Sequence, residues 1–370
     1  MHKIYFYPHE YLRDRQLDTI KNFKLIFGQN YKLLNSSILE NRRGGQVSKK
    51  NALSENKMSK SWKNIFPLIN IKKRPKKAPK DSVIYIWGGL SLTGKFIVEV
   101  DNPWTLVGNN LNSMKIFKWV IKKILLSKRC IEIRTISEAS RNSLGQLFGK
   151  EVFLKATCNY PFIQKKSNNL EKGKSNKPIR FLFVGTQFEI KGGETLIKSF
   201  LSVLKKNKNC KLDIITFLPN RFKKLVQNKK EISVHEASFS REEIHSKFMK
   251  HCDVLLFPTY GESFGMVALE ALAHSMAIIT TDVYALREMV INDKNGFIIK
   301  PPISIWNNHM PSENFSLIPN YKFYIRKIDT KDFEKKLEKS ILYYIDNPIE
   351  LIMARRFSKN LFEKKFMYKG

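Results

Sequence analysis

Residues 253–301, DVLLFPTYGESFGMVALEALAHSMAIITTDVYALREMVINDKNGFIIKP, decide the fold. They read strand, loop, helix, strand, helix, strand. Residues 253–257 are an unbroken apolar run that stops at Pro258, as in a strand buried on both faces. The loop Thr259–Ser263 follows, and a helix from about Phe264 carries apolar Val267, Leu269, Ala271 and Leu272. Glu262 then stands just before a helix N-terminus, and Glu270 lies about two turns into the helix. Free N–H groups at such a terminus attract phosphate, and the helix dipole adds to the attraction. Ligands of open parallel sheets bind beyond the carboxyl ends of the strands. A diphosphate between two hydroxyl-binding carboxylates suits a nucleotide sugar, with a sugar at one end and a ribose at the other.

A second segment lies upstream. Residues 181–200, FLFVGTQFEIKGGETLIKSF, read strand, Gly185, loop, Lys191-Gly192-Gly193, helix. Together the two segments resemble family 4 retaining glycosyltransferases, which have the GT-B fold and a Glu-x7-Glu signature. FIVEVDNP (96–103) and CIEIRTISEAS (130–140) resemble the last strands of that family's N-terminal domain. The resemblance implies α/β architecture with two Rossmann-like domains facing across a cleft. It implies that Lys191 contacts the donor diphosphate, with Gly185 and Gly192 allowing close backbone approach. Glu262 would hold the transferred sugar and Glu270 the ribose hydroxyls. Backbone N–H groups from Ser263, Phe264, Gly265 and Met266 would reach the donor. In such enzymes the leaving diphosphate assists proton removal from the acceptor, and no stable covalent intermediate forms.

The chain departs from the family pattern in three places. Thr186 stands where many members have an arginine, so one diphosphate cation is absent or supplied from elsewhere. Ser275-Met276-Ala277 replaces a Gly-x-Pro, which removes a glycine helix stop and leaves the chemistry alone. The first strand, KIYFYP, runs into HEYLRDRQLD with no glycine-rich loop. That departure bears on the acceptor side.

A chain of 370 residues with 42% hydrophobic content supports two packed domains and excludes wholesale disorder. Cys130, Cys158, Cys210 and Cys252 show no pairing or metal spacing, and no Asp-x-Asp pair lies near the donor segments. A reducing cytosol and no metal are therefore expected. No signal peptide or long apolar run is read, so the expected place is the cytoplasm, peripheral on the inner face of the cytoplasmic membrane. Lys and Arg number 66 against 33 Asp and Glu, a net charge of +33. Such a surface attracts polyanions, while an AT-rich genome would inflate Lys, Asn and Ile without any such role. Both explanations stand on sequence.

The acceptor domain is expected over 1–165 and the nucleotide-sugar domain over 178–330. Helices over 331–370 would cross back to the first domain. Residues 164–178, QKKSNNLEKGKSNKP, read as the linker. Residues 41–80 carry thirteen Lys/Arg and only Glu55 as an acid, which reads as a solvated insertion, mobile at its tip. Residues 302–328 break the strand–helix rhythm and receive no functional reading.

Asp101 ends the strand FIVEV. It either faces the sugar across the cleft, as in relatives, or serves as a turn residue before Asn102-Pro103. Glu288 either matches a recurrent family glutamate or is a helix first-turn acid. Asn295-Gly296 reads as a turn. Residues 114–129, MKIFKWVIKKILLSKR, carry Lys115, Lys118 and Lys122 along one side of an apolar helix. The helix packs on a Rossmann-like sheet or lies on an anionic membrane. The expected function is transfer of a sugar from a nucleotide sugar, with retention, to a glycan or lipid-linked acceptor in cell-surface polysaccharide or glycoconjugate synthesis. The rival is a polyanion-binding protein, for nucleic acid or lipid, on a degenerate GT-B scaffold. It leaves Lys191, Glu262 and Glu270 unexplained, and no specific nucleic-acid motif is present.

Overall fold

The apolar runs pair as two separate all-parallel sheets. The computed structural model describes residues 2–8, 12–39, 68–164, 166 and 177–368. In the first half the strands are β1 (His2–Phe6), β2 (Tyr31–Leu33), β3 (Val83–Trp87), β4 (Phe96–Val100), β5 (Cys130–Thr135) and β6 (Ala156–Cys158). Their spatial order is β2-β1-β3-β4-β5-β6. In the second half they are β7 (Ile179–Val184), β8 (Cys210–Ile215), β9 (Ile232–His235), β10 (Val254–Phe257), β11 (Ala277–Thr281) and β12 (Gly296–Ile299). Their order is β12-β11-β10-β7-β8-β9. The central strands β3, β4, β10 and β11 are buried at every residue, which is why they read as continuous apolar runs.

Two short strands and a helix were not legible in the sequence. β6 has three residues, and β9 is an edge strand whose Ser233 and Val234 are exposed. Edge strands bury too little to leave a clean apolar pattern. The helix Asn220–Val226 buries only Phe222 and Val226. Between β9 and β10 the chain makes one helical turn, Arg241–Glu243, followed by a π turn at Ile244–Phe248 and a tight turn at Met249–His251. After β1 the helices Asp14–Lys21 and Phe23–Phe27 meet at Asn22, whose amide donates to the Asp18 carbonyl oxygen at 2.9 Å. Ser137 caps the helix Glu138–Phe148, accepting from Ser140 N–H at 3.0 Å.

Of the basic stretch 41–80, residues 41–67 lie outside the described residues, as does most of 164–178. Residues 68–72 are not a solvated loop, whereas Lys73, Lys76, Lys77 and Lys80 are exposed as the charge run suggests. Asn70 N–H donates to the Leu106 carbonyl oxygen at 2.8 Å and Lys72 N–H to that of Leu90 at 2.7 Å. Leu68 N–H reaches Ser113 Oγ at 2.9 Å. Backbone pairing, which charge counts do not reveal, ties this strip to the first sheet. At the other end, helices Lys331–Asp346 and Pro348–Leu361 lead to a turn at Phe362–Phe366. There Phe366 meets Tyr160 at 4.6 Å between ring centroids, and Tyr368 meets Phe162 at 5.7 Å.

Asn295-Gly296 is more than a turn. The buried Asn295 amide accepts from Ile291 N–H at 2.8 Å and donates to the Met289 carbonyl oxygen at 3.0 Å. Gly296 opens β12 against β11 so closely that a Cβ there would overlap the Ile278 carbonyl oxygen. Backbone cannot yield as a side chain can. Gly296→Ala is therefore expected to destabilise by about 3 kcal/mol, the upper end of overpacking costs. Urea denaturation checks this, and an unchanged midpoint would contradict the close approach.

Candidate active site

Parallel strands deliver their carboxyl ends to one side of each sheet, and the two sides face each other. β10 pairs with β7 in register Val254 to Phe181. The loops after these neighbouring strands, 185–192 and 258–265, therefore emerge side by side. Gly192 is the contact between them. Its φ is +77°, and a Cβ would overlap the Pro258 carbonyl oxygen. The helix Met266–Ala273 starts after Gly265, at φ +95°, with no side-chain cap on its first N–H groups. This start is two residues later than Phe264.

A cleft of about 450 Å³ opens between the sheets. Its walls include Gly185, Thr186, Lys191, Glu262, Ser263, Phe264, Gly265, Met266 and Glu270 from the second sheet, with Asp101 from the first. Gly192 lies behind this wall. Nine of the ten residues named for the site in the sequence thus line one cleft, and the tenth, Gly192, adjoins it at Pro258. A larger cavity, about 740 Å³, lies between the helix Asn220–Val226 and β9. Its lining is largely apolar, and a further cavity of about 810 Å³ is walled by residues 282–314; Lys191, Glu262, Glu270 and Asp101 come together in the interdomain cleft, which makes it the candidate site.

Lys191 Nζ donates to Glu262 Oε2 at 2.7 Å and to the Gly261 carbonyl oxygen at 3.2 Å. Ser263 N–H donates to Glu262 Oε1 at 3.0 Å. Burial pushes the Glu262 carboxyl up, but Lys191 and the N–H groups of Ser263 and Phe264 outweigh it and hold the group below its ordinary value. Glu270 is gripped by Arg241, whose Nε donates to Oε1 at 2.6 Å. His245 Nε2 lies 3.8 Å from Oε2, beyond hydrogen-bond reach. Burial again raises the Glu270 carboxyl, and His245 with Arg241 lowers it further than burial lifts it. Both glutamates are therefore ionised at neutral pH.

The two sequence readings of Asp101 separate cleanly. Asn102 caps the following turn, its Oδ1 accepting from Trp104 N–H at 3.1 Å. Asp101 lines the cleft with its Oδ1 held by Arg15 Nη2 at 2.8 Å. Arg15 also binds Glu99, which Tyr85 holds from the other side. Glu288 fits neither a first-turn acid of its own segment nor the cleft lining. It ends the turn Tyr284–Glu288 and accepts from Glu138 N–H at 3.0 Å and Ala139 N–H at 2.8 Å. Its carboxylate thus sits on the N-terminus of the other domain's helix Glu138–Phe148.

Sequence reasoning missed Arg13, Arg15, Arg241 and His245. Arg241 is the most consequential, since it also binds Asp18 of the first domain and so spans the cleft. One signal was available: Ser240 and Glu243 form a capping box that starts a helix at Arg241.

Residues 164–307 match the family model described as glycosyl transferases group 1. The capsular polysaccharide biosynthesis glycosyltransferase CapM of Staphylococcus aureus is 32% identical over 125 residues, which is 32% of this chain and 32% of CapM. The chain thus aligns with about a third of the length of that curated relative. The Anabaena HepE structure, in complex with UDP, superposes with TM-score 0.60 at 11% identity, covering 100% of this chain and 96% of HepE. WaaG, a glycosyltransferase involved in lipopolysaccharide biosynthesis, gives TM-score 0.56 at 12% identity, with 100% and 96% covered. At such identities these two likenesses show the fold, which is the two-domain GT-B arrangement.

The Lys191–Glu262 pair yields a test with a definite sign. A carboxyl held low in the folded state contributes stability that is complete above its unfolded value of about 4.3 and is lost as pH falls through the lower folded value. In Lys191→Met the burial cost remains while its largest counterweight goes, so the Glu262 carboxyl rises. The stability gap between wild type and Lys191→Met should be widest at neutral pH and narrow as pH falls through the raised carboxyl value of the variant and then the lowered value of the wild type. Denaturation midpoints across pH 3–8 check it, and a constant gap would rule the coupling out.

Proposed function

We propose that this protein is a retaining glycosyltransferase that moves a sugar from a nucleotide sugar to a glycan or lipid-linked acceptor of cell-surface polysaccharide or glycoconjugate. The observation that carries the reading is the convergence of Lys191, Glu262 and Glu270 on one wall of a cleft whose other wall presents Asp101. In this reading Lys191 and the N–H groups of Phe264 to Met266 take the diphosphate, while the Ser263 N–H named for the donor in the sequence is engaged by Glu262 Oε1. Glu262 takes the sugar, Glu270 the ribose, and Asp101 faces the sugar from across the cleft. Arg13 and Arg241, which also line the cleft, supply the positive charge that Thr186 does not. The leaving diphosphate is then neutralised by fixed cations and N–H dipoles without a metal. The names of CapM and WaaG, in capsule and lipopolysaccharide biosynthesis, support a cell-surface glycan as product. The UDP held by HepE makes uridine nucleotides the first donors to screen.

The ionisation of both glutamates supports transfer over hydrolysis. A glycosidase needs two carboxyl groups straddling the bond, one of them held protonated. Here both are held low, and both stand on the same side of the cleft. Closing the cleft over donor and acceptor orients the reacting atoms and excludes competing water.

Glu262→Gln and Glu270→Gln each weaken a charge-assisted hydrogen bond worth about 1.5–3 kcal/mol. Turnover at low donor should fall about 10- to 100-fold in each, with the wild-type rate unaffected by EDTA. Wild-type rates in both variants would remove the site from consideration. Loss of the wild-type rate on chelation, restored by a divalent ion, would remove the metal-free reading.

We further propose that the first domain binds an anionic membrane. On the helix Leu111–Leu126, Trp119 is 61% and Ile116 50% exposed, beside exposed Lys115, Lys118 and Lys123. Lys122 does not share that face freely, since it pairs with Glu151 at 2.9 Å. An exposed aromatic among lysines suits the interface of an anionic bilayer. Each basic residue near such a surface contributes about 1 kcal/mol. Among the described residues no helix is long and apolar enough to cross a membrane. Co-sedimentation should be strong with anionic vesicles, weak with neutral ones, reduced by salt and reduced again in Trp119→Ala. No binding to either vesicle at low salt would leave lysine-rich composition as the whole explanation of the charge.

A further inference from the structure

Residues 302–328 stand between β12 and the helix Lys331–Asp346. They form a hairpin, Trp306–Asn307 paired with Met310–Pro311, then a tight helical stretch Glu313–Asn320 and a short helix Tyr321–Ile325. Four side chains of this segment reach the donor loops, Lys322 among them at 3.5 Å from Glu189. Trp306 Nε1 donates to the Glu262 carbonyl oxygen at 2.9 Å. Tyr321 Oη donates to the Tyr260 carbonyl oxygen at 3.0 Å. Arg326 Nη2 binds Glu189, two residues before Lys191, at 2.7 Å. Both loops that carry the candidate donor groups are thus braced from behind.

We infer that Trp306 is a positioning residue that sets the orientation of Glu262. The inference rests on the glycosyltransferase reading of the cleft. The carbonyl that accepts from Trp306 and the N–H of Ser263 belong to one planar peptide unit. That same N–H donates to Glu262 Oε1 at 3.0 Å. The indole therefore fixes a rigid plane, and the other edge of that plane fixes the carboxylate. Gly261 and Gly265 flank this stretch of loop, and glycine backbones turn more freely than others. An external hydrogen bond is what holds the plane in one orientation.

Trp306 is itself well fixed. It is 6% exposed, and its ring stacks on Tyr284 with centroids 4.2 Å apart. It also meets Phe315 at 5.1 Å and Trp104 at 5.6 Å. Trp104 belongs to the first domain, in the turn just after Asp101. Asn102 of the same turn donates to Ser263 Oγ at 3.3 Å. The brace therefore touches both walls of the cleft and refers Glu262 to the wall that bears Asp101. Trp306 does not line the cleft, so it acts through Glu262 and not on the substrate.

Trp306→Phe keeps most of the ring packing and removes the N–H donor. The assay compares affinity for UDP, GDP and ADP with KM for the matching hexose nucleotides. Loss of one hydrogen bond should raise KM for the sugar nucleotide about 3- to 10-fold. Affinity for the nucleoside diphosphate should stay within about twofold, because Glu270 and Lys191 keep their places. Equal loss of both affinities would mean a merely structural tryptophan, and no change in either would mean that the bond positions nothing. Both results overturn the inference. Tyr321→Phe, which removes the second side-chain hydrogen bond from residues 302–328 to this loop, is read in the same way and decides the matter if Trp306→Phe does not fold. If the wild-type protein binds none of the nucleotides, the glycosyltransferase reading fails and the role of Trp306 falls with it. Wild-type binding with an unchanged ratio in the variants defeats the Trp306 inference alone.

Discussion

The pairing of β7 with β10 is the constraint on which the site depends. The two strands are separated in sequence by β8, β9 and their connections, yet they lie side by side at the centre of the second sheet. Their neighbouring carboxyl ends bring Lys191 within 2.7 Å of Glu262 across 71 positions of chain. Crossover connections place helices on the sheet faces and leave the strand ends open, so this adjacency creates a crevice as well as a contact. Gly192 shows how tight the fit is, since only a residue without Cβ lets the first loop pass the Pro258 carbonyl. The charge pattern follows from the geometry. Two buried carboxylates persist as anions because each has a cation at hydrogen-bond distance.

The second dependence is on the interface between the sheets. Glu288 of the second domain accepts two N–H groups at the start of Glu138–Phe148 and also the Tyr160 hydroxyl at 2.7 Å. Tyr284 shares a hydrogen bond with Ser143 at 2.7 Å. Arg241 joins Asp18 to Glu270. These contacts are polar and hydrogen-bonded, unlike the apolar contacts inside each sheet. Polar interfaces within a chain permit relative domain motion more readily than apolar ones. Aromatic contacts add to the polar ones: rings around Trp306 join the domains beside the loop 258–265, and Phe366 and Tyr368 meet Tyr160 and Phe162.

The basic character of the chain is distributed unevenly in its consequences. In the cleft, cations are paired or directed at carboxylates, and they set ionisation states. On the helix Leu111–Leu126, lysines stand beside an exposed tryptophan and face solvent. The same residue type is thus paired and sheltered in one place and solvated and screened in the other, and burial is what separates the two.

The sequence alone determined that the second half is a doubly wound sheet. Strands buried on both faces leave unbroken apolar runs, and helices between them leave the Glu262 to Glu270 spacing readable. It also determined which residues of the two motifs meet, because strand ends in a parallel sheet share one edge. Tertiary structure decided the rest. Edge strands β6 and β9 bury little and so left no pattern. Without β9, the loop carrying Arg241 could not be placed. The choice between cap and cleft for Asp101 turned on where Asn102 points, which is a matter of side-chain geometry. Glu288 found its partner 150 positions away in sequence, on another domain's helix. Residues 302–328 have no repeating pattern, since they form neither long helix nor sheet. Their meaning lies in single hydrogen bonds to distant carbonyl oxygens, and a backbone acceptor carries no side-chain signal for a sequence to record.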